Sequence, residues 1–241
     1  MKFTHEEYRK MIGLLKKNNY TIGNYNNYKN FKKVAILRHD IDTLVEKAVE
    51  IAEIENEEGV CGTYFVLLST DFYNVNSLKT FQELKKIQKF GGNIGLHFDE
   101  KRYELANADQ MVECILKEKQ MLELALEMPI TTVSMHRPSK WILNQEIEIP
   151  GMINSYSQIF FKEFKYVSDS RMNWREDVQK IIQSKEYDRL QILTHAFWYS
   201  DVEENQRQIL LRFIRSANKE RYMSLMDNMR DLNEFVNENE I

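Results

Sequence analysis

Four histidines stand where short apolar runs end, each beside polar neighbours. They are His39 in Val34-Ala-Ile-Leu-Arg-His-Asp-Ile-Asp42, His97 in Asn93-Ile-Gly-Leu-His-Phe-Asp99, His136 in Thr132-Val-Ser-Met-His-Arg-Pro138 and His195 in Leu190-Gln-Ile-Leu-Thr-His195. Imidazole is the side chain best suited to bind a metal or move a proton near neutral pH. Asp40 and Asp42 lie two residues apart, so on a strand both carboxylates face one side. Two acids that close repel each other unless a cation lies beside them. One can bind a metal while its neighbour takes a proton from metal-bound water. The competing reading makes Asp42 the cap of a helix, because Thr43 and Leu44 follow it.

The remaining clusters extend this chemistry. His97 is followed by Asp99. Arg137, after His136, can orient a carboxylate through a bidentate pair, and Pro138 fixes the turn. Asp169, in Tyr166-Val-Ser-Asp169, could hold Arg137 or a histidine, with Trp174 as an apolar wall. His195 is a candidate general acid, and the aromatics after it, Phe197 and Trp198 among them, could line a sugar-sized pocket.

These groups need elements that deliver them to one place. Periodicity alternates between helical stripes and short strands. Helical spacing joins Tyr8, Met11, Ile12 and Leu15, then Leu44, Ala48, Ile51 and Ala52, then Phe81, Leu84 and Ile87, then Met111, Cys114, Ile115 and Leu122. Between them lie apolar runs at 34–37, 61–68, 93–96, 130–135 and 190–193, with shorter strand candidates at 159–161 and 166–168. The stretch 18–30, rich in Asn and Tyr, reads as an irregular loop, and the C-terminal third as helical. Alternating strands and helices argue for parallel βα units. No Gly-x-Gly-x-x-Gly follows the first strand, which weakens a dinucleotide fold. Polar residues at several strand ends fit a barrel, whose catalytic groups gather at the C-terminal face.

Composition narrows the function. The 241 residues suit one α/β barrel, read here as a single domain over 1–241, and 43% hydrophobic residues suffice for its core. A net charge of −4 steers the chain toward neither nucleic acid nor anionic membrane. Cys61 and Cys114 cannot form a disulfide framework and read as buried thiols. With no signal-peptide core and no membrane span, the expected location is cytoplasmic.

Taken in order, the segments resemble the polysaccharide deacetylase family, the NodB-homology or carbohydrate esterase 4-like enzymes. Ile36-Leu-Arg-His-Asp-Ile-Asp42 is similar to the first motif, Asn93-Ile-Gly-Leu-His97 to the second and His136-Arg-Pro138 to the third. Tyr166-Val-Ser-Asp169 with Trp174 resembles the fourth, and Leu193-Thr-His195 with Trp198 the fifth. The match runs over about residues 34–200. The resemblance implies a distorted (β/α) barrel with peripheral N- and C-terminal helices, and metal-assisted removal of acetyl from an N-acetylated sugar. The substrate would be an acetamido sugar or its nucleotide- or lipid-linked form, in surface polysaccharide or glycan biosynthesis. By the same resemblance, Asp40 is the base, His195 the acid, Asp42 and His97 ligands of zinc or a similar divalent ion, and Arg137 and Asp169 tune base and acid. Trp174 and Trp198 would meet the substrate.

Two departures are visible. The second motif normally brings two histidines one helical turn apart, and the second position here is Lys101. Asp99 or His136 could supply the third ligand, with His39 a further candidate. Ser139 and Lys140 follow Pro138 where the family has a tyrosine. The alternative function is therefore an inactive barrel of the same fold that binds carbohydrate or a biosynthetic partner.

Overall fold

A computed structural model describes residues 1–241, which form two compact units, Met1–Asp201 and Val202–Ile241. In the first unit, β2 (Val34–Ile41) lies at the centre of a parallel sheet and is buried at every position. On one side it pairs with β3 (Thr63–Leu67), which is followed by β4 (Asn93–Asp99), β5 (Thr132–His136) and β6 (Ile153–Asn154). On the other it pairs with β8 (Arg189–Thr194) and then β7 (Lys165–Ser168). A short β1 (Thr21–Gly23) pairs with the start of β2. The sheet curls into a half-barrel, with β6 and β7 as its edges. This is the distorted (β/α) barrel that the sequence predicts.

Alternation along β2 sorts its side chains into two cores. Val34 and Ile36 join Tyr25, Phe65 and Phe160 in the concave interior. Ala35, Leu37 and Ile41 face outward and join the larger core beneath the helices. Helix α1 (His5–Lys17) supplies Tyr8, Met11, Ile12 and Leu15 to that core, and α2 (Val45–Glu57) supplies Ala48, Ile51 and Ala52. Helix α1 is also well terminated. The Thr4 hydroxyl accepts the Glu7 amide, with acids in the first turn and lysines in the last. Helices α3 (Leu78–Lys89) and α4 (Ala108–Leu126) cover the β3–β5 side with Leu84, Ile87, Ile115 and Leu122.

Gly95 lets the interior close. A Cβ there would lie 2.5 Å from Thr132 Oγ1 and 2.6 Å from two ring carbons of Phe65. Gly95→Ala is therefore expected to overpack the barrel and lower stability by about 1–3 kcal/mol, read from denaturant unfolding.

Several expectations change. Residues 159–161, expected as a strand, lie in a helical turn, Ile159–Lys162, within the β6–β7 connection, and its Phe160 plugs the interior. The stretch 18–30 is not wholly irregular, since it holds β1 and a 3-10 turn at Tyr28–Asn30. Both cysteines are half-buried, not buried. Asp42 does not cap α2, whose N-cap is Leu44 without a side-chain hydrogen bond. The second unit consists of a 23-residue helix, Gln206–Asn228, opened by a capping box between Asn205 and Gln208, followed by two 3-10 turns. No helix is long and apolar enough to cross a membrane.

Candidate metal and catalytic centre

The C-terminal ends of β2, β4, β5 and β8 deliver their polar residues to the concave face. Asp42 Oδ1 lies 3.3 Å from His97 Nε2 and 3.2 Å from His136 Nδ1, and the two ring nitrogens are 3.2 Å apart. Together they are the group of side chains able to hold a metal ion. The edges of this triangle fit one cation. Tetrahedral ligation at about 2.0–2.1 Å spaces neighbouring ligand atoms by roughly 3.3–3.4 Å. Asp42 Oδ1 is buried without a hydrogen-bond partner, as expected of an atom reserved for a ligand. Two imidazoles and one carboxylate suit zinc and similar divalent ions, and three protein ligands leave a position for substrate. His97 is buried, whereas Asp42 and His136 are partly exposed, so the open side faces solvent.

His136 reaches His97 through strand register. Asp99 pairs with His136 across β4 and β5, which sets His97 and His136 on one face, two residues out of step. The chain then turns sharply at Arg137, whose φ of 49° is left-handed. Such a conformation costs a non-glycine residue energy that the surrounding fold must offset. Asp99, the other candidate third ligand, lies outside the triad. It accepts from Arg137 at 2.5 Å and from the Lys101 amide at 3.1 Å. Lys101 sits exposed on the 3-10 turn after β4.

Asp40 has a partner that the sequence reading missed. Arg38 donates from Nε and Nη2 to the two oxygens of Asp40 at 2.9 and 2.8 Å, and also donates to Ser134 Oγ. Its side chain is fully buried, against the faces of Tyr156 and Phe65. Arg137, expected to tune the base, instead pairs with Asp99 and is 57% exposed. Burial opposes charge on Asp40, but Arg38 and His97 override it and hold the carboxyl below its ordinary range. Asp40 is thus ionised at neutral pH, with Oδ2 3.6 Å from His97 Nε2.

His195 faces the triad from β8. Its Nε2 is 3.8 Å from Asp42 Oδ2, and its Nδ1 is 2.7 Å from Asp169 Oδ1. The buried Asp169 also accepts the His195 amide at 3.1 Å. Burial works against protonation of His195, but Asp169, Asp42 and Asp40 outweigh it and raise its pKa to about 9. A general acid must carry its proton, so activity through His195 would be present below that pKa and lost above it. Asp169→Asn removes the main raising charge. The alkaline limb of the pH–rate profile is expected to move to lower pH, measured as kcat/KM against pH.

Trp174 and Trp198, the expected substrate contacts, are half-buried and packed on the outer core, in the loops that follow Asp169 and His195. His39, the remaining strand-end histidine, faces away from the site. Its ring lies between Glu55 and Thr194 under the helices.

No protein-family model matches the chain, and comparison with curated proteins returns no match. The solved structures it resembles are deacetylases and relatives of the carbohydrate esterase 4 family. The Streptococcus pyogenes deacetylase PplD aligns at 17% identity and a TM-score of 0.41, over 54% of this chain and 61% of that one. BA3943 of Bacillus anthracis, a pseudoenzyme of that family, aligns at 15% and 0.45, over 78% of this chain and 62% of its own. The peptidoglycan deacetylase PdaC of Bacillus subtilis aligns at 13% and 0.43, over 84% and 96%. This chain thus spans less than two thirds of the first two.

Proposed function

We propose that the protein is a metal-dependent hydrolase that removes acetyl from an N-acetylated sugar. One observation carries this reading. A three-ligand triad, Asp42, His97 and His136, lies between an ionised, arginine-held Asp40 and a protonated, aspartate-held His195. When bound, a divalent ion would polarise the acetyl carbonyl and lower the pKa of water beside it. Asp40 is placed to accept a proton from the attacking water, and Arg38 holds its two oxygens in a fixed orientation. His195 donates a proton from Nε2 to the departing amine nitrogen, while Asp169 fixes the opposite ring nitrogen. The products are acetate and a free amino sugar.

The substrate class, with its nucleotide- or lipid-linked forms and its place in surface glycan synthesis, rests on the motif resemblance. Zinc rests on the donor set. The inactive-barrel alternative draws on Lys101, whereas Asp42, His97 and His136 together offer three donor atoms for one cation, which supports the active reading. Protein purified without chelators is expected to carry about one divalent ion per chain and to release acetate from N-acetylated sugars. Absence of metal together with no acetate from a broad panel of acetamido sugars would overturn the reading.

A further inference from the structure

His39 is the strand-end histidine that the proposed chemistry leaves unused, yet it stands in a costly arrangement. Glu55, on α2, is 1% exposed and receives four donors. Tyr8 and His39 reach Oε1 at 2.7 and 2.9 Å, while Tyr64 and the Gly62 amide both reach Oε2 at 2.7 Å. Burial opposes its charge, but His39 and the hydrogen bonds prevail and lower its pKa. An ionised Glu55 accepts only, so His39 Nε2 carries a proton toward it. The other ring nitrogen, Nδ1, is 2.7 Å from Thr194 Oγ1. Gly62 is required by the same cluster, because a Cβ there would sit 2.7 Å from His39 Nε2 and 3.0 Å from Glu55 Oε1.

Its position gives the cluster a purpose beyond cohesion. Buried charge networks are often no more stabilising than well-packed apolar side chains, so stability alone explains this one poorly. His39 lies between Arg38 and Asp40, which face the site. Its register partner on β8 is Thr194, the residue before His195. The hydrogen bond between them therefore joins β2, which bears Asp40 and leads into Asp42, to β8, which leads into His195, on the face opposite the reaction. Tyr8 and Tyr64 fix the Glu55 end of the chain to α1 and β3.

We infer that Glu55, His39 and Thr194 are positioning residues that set His195 against the Asp40–Asp42 edge of the site, an inference that rests on the proposed reaction. None of them touches substrate. Thr194→Val removes the side-chain hydrogen bond to His39, leaves the backbone pairing of β2 and β8 in place and spares the four donors to Glu55. It is expected to lower kcat by roughly ten- to a hundredfold with KM unchanged, since small misplacements of an acid are costly. It is also expected to shift the low-field Nδ1 proton resonance of His195 in metal-free protein, which reports the Asp169 hydrogen bond whether or not turnover occurs. Ile51→Val, in the same core, is the control for a structural effect. It should lower Tm while leaving kcat and that resonance as in the wild type. The inference is overturned if Thr194→Val leaves kcat and the resonance unchanged, or if Ile51→Val reproduces both changes. A shifted resonance in a protein that releases no acetate would uphold the positioning and overturn the proposed reaction instead.

Discussion

Arg38→Met is expected to cost about 3–5 kcal/mol of stability at neutral pH, the penalty for leaving a buried carboxylate without its partner. Asp40 is 6% exposed, and the guanidinium that spans its two oxygens is fully buried. The pH dependence gives the cause away. With Arg38 present, the Asp40 pKa lies below its ordinary 3.8, so the stabilisation from the pair is present above that value and is lost only as pH falls through the lower folded pKa. Without Arg38, burial dominates and the Asp40 pKa rises. The difference between variant and wild type is therefore small in acid and grows toward neutral pH. Denaturant unfolding at several pH values measures it. Arg38→Met combined with Asp40→Asn should recover much of the loss, because no buried charge then lacks a partner. Turnover should fall with Arg38→Met by itself, its acid limb moving to higher pH. Arg38→Lys should rescue little of it, since an ammonium cannot span two carboxylate oxygens as the guanidinium fork does.

That arginine marks the limit of what the sequence disclosed. The apolar runs and helical stripes placed β2, β3, β4, β5 and β8 correctly, because strands buried on both faces read as continuous hydrophobic segments. Asp40, Asp42 and the strand-end histidines were legible for the same reason, being polar residues at the ends of such runs. Arg38 directly follows the apolar run at 34–37 and draws no role from the sequence alone, although period two sets it on the Asp40 face. A cation in a fully buried strand demands a partner, and that was the available signal. Glu55 gave a similar one, as a lone carboxylate on the buried stripe of α2. The choice between Asp99 and His136 as third ligand was beyond local reading. It depends on how β4 and β5 are aligned, which joins residues 37 positions apart in sequence. The helical turn at Ile159–Lys162 was hidden because a short apolar run fits strand and helix equally.

His136→Ala is expected to weaken divalent-ion binding by at least about a hundredfold, more than the loss of an outer hydrogen-bond partner usually costs. The triad has only three protein atoms, and each lies within 3.3 Å of the other two, so removal of one leaves a pair too few to hold zinc firmly. Lys101→Ala tests the inactive-barrel alternative, which draws on Lys101 standing where the second motif normally has a histidine. Its side chain is exposed, and affinity is expected to stay within about twofold of the wild type. Asp99→Asn falls between them. It frees Arg137 and loosens the turn that aims His136, so its effect belongs in the ten- to hundredfold range of supporting contacts, roughly. Competition for zinc against a chromophoric chelator ranks the three. If Asp99→Asn cost as much as His136→Ala, the turn at Arg137 would matter to the metal as much as the imidazole does. If His136→Ala cost nothing, Asp42 and His97 would need a different third partner.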